Sequence, residues 1–458
     1  MREDNPHLPV KKDSSKPVVQ ALTHFDQFYS SVYKNKWTGM RLGLLCPPKF
    51  AVFVNNFGDS EKTCERLEQL GCVNINQEFA RARDKVQPFI DVETQKEEAK
   101  TSELSCSSED SEVESETENP PDVPTLSSLD PSDSSSRLMK PEKNLLGGNS
   151  VSMYQFMPTK ELKGMEEFVE EATYYEAYKK VESNAIKVRP STGLNFPPEL
   201  QCYSFPRADL SRFPPPRPTP VGPLDYYCLD GASLLPVLAL DVRPGHSVLD
   251  LCAGPGGKSL AILQTLRPAR LVCNDVSHER VRRVISVLDQ YLGRGPGVGN
   301  IRETVTLSRR DGASLEDYEA YDRVLVDAPC YSDRHSVTSD KGNIFVKSEI
   351  KNRLKMPEKQ SSLLRSGLLH LAPGGSLVYS TCTLSPVQND GVVHRVLAQI
   401  WEETNLNFEV EDLDLAVKPF RFLCKIFGKK EGMKYGQLVV PSLPNNFGPM
   451  YFCKINRV

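Results

Sequence analysis

Residues 246–259 read H-S-V-L-D-L-C-A-G-P-G-G-K-S. Val248-Leu249-Asp250-Leu251 is a short apolar run, Ala253 to Lys258 is a glycine-rich turn, and Leu260-Ala261-Ile262-Leu263 resumes an apolar pattern suited to a helix. Strand, glycine turn and helix form the opening unit of a parallel α/β sheet. Glycine tolerates positive φ and leaves no Cβ between the backbone and a ligand. Such sheets bind nucleotide-like ligands outside the carboxyl ends of their strands, which is where this turn lies.

Three ligand classes compete for the turn. A phosphate-cradling loop of the G-x-x-x-x-G-K-[ST] type matches at Gly257-Lys258-Ser259 but places Cys252 where its first glycine belongs. A dinucleotide turn, G-x-G-x-x-G, fails because residue 259 is serine. S-adenosylmethionine has no phosphate and needs only a tight glycine turn, with an acid at the end of the next strand for the ribose hydroxyls. Leu271-Val272-Cys273-Asn274-Asp275 supplies that acid. An ordinary glycine-rich connection is the alternative for the turn taken alone.

Working outward, apolar runs at 246–251, 270–275, 304–309, 323–327 and 376–380 alternate with helical patterns, including 279–292 and 361–371. This predicts a doubly wound α/β sheet with helices on both faces. Residues 436–440 and 450–455 flank a Pro/Asn/Gly turn and predict an antiparallel pair at the sheet edge. Upstream, 17–92 reads as a small helical module, with Phe25, Phe28, Tyr29 and Tyr33 near helical spacing as core. A disordered acidic, Ser-rich linker is expected over 93–144. Residues 145–240 read as a helical and Pro/Arg-rich connection, with a helix over 225–240, and the catalytic domain spans 241–458. Within 203–223, Arg207, Arg212 and Arg217 sit five residues apart among prolines. That segment is either a phosphate-contacting strap or a proline-stiffened connector with solvated arginines.

The 458-residue chain carries a net charge of −4, yet residues 93–136 hold thirteen acids against two lysines, leaving +7 on the remainder. A basic body suits an anionic partner such as RNA. No apolar run is long enough for a transmembrane helix. The twelve cysteines include no C-x-x-C pair and no zinc spacing, so neither a metal site nor a disulfide framework is expected. Met1 to Pro6 carries acids and no amphipathic basic pattern, so it does not read as a transit or secretory peptide.

Two more strand ends bear reactive groups. Val324-Leu325-Val326-Asp327 runs into Ala328-Pro329-Cys330, and Leu377-Val378-Tyr379-Ser380 runs into Thr381-Cys382-Thr383. Parallel strands bring both ends to the edge that holds the glycine turn, so Asp327, Cys330 and Cys382 converge beside one cofactor. Methyltransferases acting on exocyclic amines present [DN]-P-P-[YF], which Asp327-Ala328-Pro329-Cys330 does not match. Carbon 5 of a pyrimidine is a poor nucleophile. A thiolate adding to carbon 6 creates an enamine whose carbon 5 attacks a methyl group, and a base then removes the carbon-5 proton so that the thiol can leave. Thiols, an acid and a methyl donor at one edge suit that reaction.

Taken together, Pro255-Gly256-Gly257-Lys258, Asp327-Ala328-Pro329-Cys330 and Ser380-Thr381-Cys382-Thr383 resemble the Nop/Sun family of RNA cytosine-5 methyltransferases, over roughly 200–458. The resemblance implies a class I, Rossmann-like S-adenosylmethionine-dependent methyltransferase sheet, here behind a mostly helical N-terminal extension. It implies Cys382 as nucleophile, Cys330 as the thiol that assists release, and Asp327 in contact with cytosine. Gly256, Gly257, Lys258, Asp275, Arg280, Asp311, Gly312 and Asp327 fall in its cofactor-binding segments. The family's P-C-S-G is Cys330-Tyr331-Ser332-Asp333 here, and its E-N-E is Gln388-Asn389-Asp390. These variants, with Tyr226-Tyr227 and 446–454, are similar to the branch acting on mitochondrial ribosomal RNA. That likeness implies a small-subunit ribosomal RNA substrate in the mitochondrial matrix, a transcription-termination-factor-type protein partner and a role in ribosome assembly. Two other readings stay open: a methyltransferase of another base without a thiol nucleophile, and an assembly scaffold whose methylation is secondary.

Overall fold

The computed structural model describes residues 16–86, 88, 171–180, 186–191, 193–293 and 303–458. The expected acidic linker lies outside the described residues. In chain order the strands are β1 (Ala51–Val54), β2 (Val73–Asn74), β3 (Val188–Pro190), β4 (Cys202–Ser204), β5 (Tyr226–Leu229), β6 (Ser247–Asp250), β7 (Arg270–Asn274), β8 (Val305–Ser308), β9 (Tyr321–Asp327), β10 (Leu371–Thr381), β11 (Phe408–Asp412), β12 (Lys425–Phe427), β13 (Gln437–Val440) and β14 (Met450–Arg457).

The large sheet runs β12-β13-β14-β10-β9-β6-β7-β8, with β11 also on β14 and β3 on β11. Strands β10, β9, β6, β7 and β8 are mutually parallel. From β6 the chain steps one way to β7 and β8, then crosses to β9 and β10 on the other side. The order therefore reverses between β6 and β9, and a crevice opens at their carboxyl ends. Alternation along the strands feeds two cores. Leu249, Val324, Val326, Leu377 and Tyr379 face one side, beneath helices Pro17–Tyr33, Met356–Leu369 and Asp390–Glu403. Val248, Leu271, Leu325 and Val378 face the other, beneath Leu234–Ala239, Gly257–Gln264 and His278–Leu292. The doubly wound α/β expectation therefore holds.

Three expectations are corrected. The C-terminal strands do pair antiparallel, Leu438 opposite Tyr451, but not at the edge. β14 lies inside the sheet, antiparallel to β10, because Met450–Ile455 is apolar enough to be buried on both faces. The N-terminal segment is not purely helical: β1, fully buried, pairs with β4 and β5, and β2 with β4, in a separate four-stranded sheet. β-Branched and aromatic residues such as Val52-Phe53-Val54 favour that pleated packing. The helix expected over 225–240 is shorter. Tyr226–Leu229 is strand β5, and only Leu234–Ala239 is α-helical, after a turn capped by Asp230, whose Oδ1 accepts Ala232 N at 2.8 Å. Short apolar runs do not distinguish strand from helix by periodicity.

Candidate active site

The crevice between β6 and β9 is floored by the glycine turn. Gly256 has φ 110°, a left-handed conformation that glycine adopts without strain. At Gly254 a Cβ would stand 2.5 Å from Arg280 Cβ and 2.7 Å from Asp275 Oδ2. The backbone can approach so closely only because no side chain intervenes, and Gly254 N donates to Asp275 Oδ2 at 3.2 Å. Asp275, one residue past β7, also accepts Ser277 N at 2.9 Å, and Arg280 Nη1 lies 3.8 Å from Oδ2. A buried, oriented carboxylate beside a backbone-only turn suits ribose hydroxyls better than a phosphate. The residues therefore fit S-adenosylmethionine. Gly257 opens the following helix, and a Cβ there would meet the Tyr227 hydroxyl at 3.0 Å, so Tyr227 covers the turn from β5.

The reactive groups meet at the ends of β9 and β10. Asp327 Oδ2 accepts Lys258 Nζ at 2.7 Å, and its Oδ1 accepts Ser380 Oγ at 2.7 Å. Burial works against the Lys258 charge, but the Asp327 carboxylate holds the ammonium above its usual value. Cys330 Sγ and Cys382 Sγ lie 3.3 Å apart. The Ser332 hydroxyl is 3.4 Å from Cys382 Sγ, and Cys382 N points at Cys330 Sγ at 3.3 Å. The two thiols are therefore unequal. The Cys330 hydrogen bond, with help from Ser332 and Lys258, pulls Cys382 below the ordinary thiol value despite burial. The same bond and burial push Cys330 well above it. The shared hydrogen bond therefore favours loss of the proton from Cys382 over loss from Cys330.

Both cysteine loops are fastened by Asp333. Its Oδ2 accepts Leu384 N at 2.7 Å from the β10 side and the Tyr29 hydroxyl at 2.9 Å from helix Pro17–Tyr33. Tyr29 also lies 3.3 Å from Thr383 Oγ1. Burial raises the Asp333 carboxyl to about 6. Beneath the turn, burial raises Asp250 to about 7 even though Ser259 Oγ donates to it at 2.6 Å.

The structure brings Asp327, Cys330 and Cys382 to one edge and adds Lys258 to them through Asp327, while Gly256, Gly257, Asp275 and Arg280 form the neighbouring turn. Asp311 and Gly312 follow β8 at the same sheet edge. Asp311 is exposed and caps Ala313 N at 3.1 Å, while Gly312 packs on Leu251 and Leu363. The motif reading missed Ser332, Ser380, Asp333, Tyr227 and Tyr29. The first three sit inside or beside the motifs, where a polar side chain next to a reactive thiol is the available signal. Tyr29 and Tyr227 carry none, since only the fold brings them near.

The sheet order, glycine turn and strand-end acids define a Rossmann-like methyltransferase with a pair of thiols at its crevice. The family described as 16S rRNA methyltransferase RsmB/F matches residues 237–437. The 5-cytosine rRNA methyltransferase NSUN4 of Xenopus tropicalis is 34% identical over 440 residues, covering 96% of this chain and 90% of that one. Its Mus musculus counterpart is 44% identical over 292 residues, 64% of this chain and 74% of that one. A mitochondrial tRNA (cytosine(34)-C(5))-methyltransferase of Danio rerio is 38% identical over 264 residues, 57% and 67% of the two chains. The chain belongs to the RsmB/F, or Nop/Sun, family of RNA cytosine-5 methyltransferases. Among the described residues there is no cluster of metal-binding side chains, and no helix is long and apolar enough to cross a membrane.

Proposed function

We propose that the chain transfers a methyl group from S-adenosylmethionine to carbon 5 of a cytosine in mitochondrial small-subunit ribosomal RNA, with Cys382 as covalent nucleophile and Cys330 as release thiol. The observation that carries this is the pair of thiols 3.3 Å apart at the ends of β9 and β10, where Asp327 is held by Lys258 and Ser380. S-adenosylmethionine, when bound, supplies an electrophilic methyl group. The turn at Gly256, Gly257 and Lys258, with Asp275 for the ribose, would hold it, flanked by Arg280, Asp311 and Gly312. Asp327, oriented by Lys258 and Ser380, contacts the cytosine.

In this reading the Cys382 thiolate bonds to carbon 6, the ring becomes an enamine as its N3 takes up a proton, and carbon 5 attacks the methyl group. Loss of the carbon-5 proton to a base, with return of the proton taken up at N3, then restores the ring and expels the Cys382 thiolate. Cys330, kept protonated, donates its S–H to the departing sulfur and lowers the cost of release. The mitochondrial setting, the termination-factor-type partner and the part in ribosome assembly rest on the likeness to the mitochondrial branch of the family. Bisulfite sequencing of mitochondrial ribosomal RNA after loss of the protein should reveal one small-subunit cytosine that loses protection. Re-expressed wild-type protein should restore it and Cys382→Ala should not. An unchanged bisulfite pattern would overturn the reading.

A further inference from the structure

Residues 206–223 include seven prolines, each fixing φ and favouring extended backbone. The segment is fastened along its length. Pro206 O accepts Lys49 Nζ at 2.6 Å, Ala208 N donates to Pro444 O at 2.7 Å, and Arg217 N donates to Asp225 Oδ1 at 2.9 Å. Between these ties Phe213 packs on Phe205 and Tyr226, with ring centroids 4.8 and 6.0 Å apart. The arginines face outward instead. Arg207, Arg212 and Arg217 are exposed, and none has an ion-pair partner among the described residues. The nearby acids are engaged elsewhere: Asp225 by Arg66, and Asp209 by Ser211 N. A solvated connector would carry its charges on mobile chain. This one holds three guanidinium groups on a braced backbone, so less ordering entropy is lost when each binds.

The segment connects at both ends to elements that reach the active site, and at the Arg207 end two further basic residues, with Glu431, line the same cavity. Arg207 shares a cavity of about 380 Å³ with Arg421, Lys425 and the loop residues Ser442, Pro444 and Asn445. That loop runs on to Asn446 and Gly448, which accept Arg334 through Asn446 Oδ1 at 3.2 Å and Gly448 O at 2.9 Å. Arg334 is two residues beyond Ser332, whose hydroxyl touches Cys382. At its other end the segment enters β5, where Tyr227 covers Gly257 of the cofactor turn. Arginine forks match phosphate oxygens, and regularly spaced forks match a polymer of phosphates. A base has to leave any stack before a thiol can reach its carbon 6, which favours a single strand.

We propose that residues 206–223, extended by Arg421 and Lys425, form a phosphate-contacting rail for single-stranded RNA that leads the substrate cytosine to Cys382; this rests on the methyl-transfer reading above. The test uses the full chain without cofactor and a single-stranded RNA oligonucleotide of ribosomal sequence containing the target cytosine, with affinity followed against salt. Each lost phosphate contact lowers the log–log salt slope by about 0.7. R207A/R212A/R217A should therefore lose roughly 20-fold less affinity than wild type between 50 and 200 mM salt. The matching arginine-to-lysine triple variant should keep most of the slope, and both variants should bind S-adenosylmethionine normally. Equal slopes for wild type and the alanine variant overturn the rail, and leave these arginines to a protein partner or to solvent. Methyl transfer by wild type on the same RNA is scored separately. If it methylates no ribosomal cytosine, the activity reading fails, while the slopes still decide the rail.

Discussion

Cys330→Ala removes the thiol that faces the Cys382 sulfur at 3.3 Å and leaves the Ser332 hydroxyl, at 3.4 Å, as its other side-chain hydrogen-bond partner among the described residues. A hydrogen bond to a charged group contributes about 1.5–3 kcal/mol. Losing it at neutral pH lowers the thiolate population, and with it the rate of attack on carbon 6, by roughly ten- to a hundredfold. Higher pH should restore much of that loss, because it regenerates the thiolate directly. Release should suffer too, since no thiol remains to receive the departing sulfur. The assay is denaturing electrophoresis of protein mixed with ribosomal RNA and S-adenosylmethionine, sampled over time at several pH values. Wild type should show a transient covalent band. Cys330→Ala should show one that rises slowly, faster in alkali, and persists. Cys382→Ala should show none. A band from Cys382→Ala and none from Cys330→Ala would reverse the two roles. A Cys330→Ala band rising at the wild-type rate at neutral pH would refute the argument from the sulfur–sulfur hydrogen bond.

Three further outcomes follow from the same geometry. Calorimetry should show S-adenosylmethionine binding and no magnesium-ATP binding, and Asp275→Ala should weaken the former by roughly 1–3 kcal/mol; equal binding of ATP would contradict the broken phosphate loop. Asp250, raised to about 7 by burial from an unfolded value of 3.8, keeps its proton in the folded state where the unfolded chain has lost it. Folding stability should therefore fall as pH rises from about 4 to 7, by at most about 4 kcal/mol from this group. Asp250→Asn should flatten that slope in urea titrations, and an unchanged slope would exclude it as the source. Tyr29→Phe leaves a buried carboxylate oxygen short of one donor and should cost about 1–3 kcal/mol in urea unfolding; a neutral result would show that Asp333 needs only Leu384 N.

Most of the parallel half of the large sheet was legible because β6, β7, β9 and β10, largely buried on both faces, carry apolar runs that end in a polar residue, whereas the edge strand β8 is only partly buried. Asp327, Cys330 and Cys382 could be placed together from topology alone, since parallel strands share one carboxyl edge. The four-stranded sheet was not legible. Ala51–Val54 finds its partners about 150 and 175 residues later in the chain, and nothing local marks that pairing. The inward position of β14 was hidden for the same reason: a hairpin signal gives the partner on one side and not the other. Asp333 sat in plain view after Cys330-Tyr331-Ser332, but its role depends on Leu384 and Tyr29, which reach it only through tertiary packing.

Strand β14 sits between β13 and β10, and β10 ends beside the nucleophile. On a translating ribosome the chain up to residue 449 presents β10 with one hydrogen-bonding edge open, flanked only by β9. Such an edge is a template for pairing with any other extended chain. The reactive thiol therefore matures late in synthesis, on a strand that is vulnerable until β14 emerges. A nascent chain stalled just short of β14 is the state in which aggregation, or capture by a chaperone, would be concentrated. Substitutions in residues 450–457 would then lower yield more than specific activity, though none of them touches the chemistry.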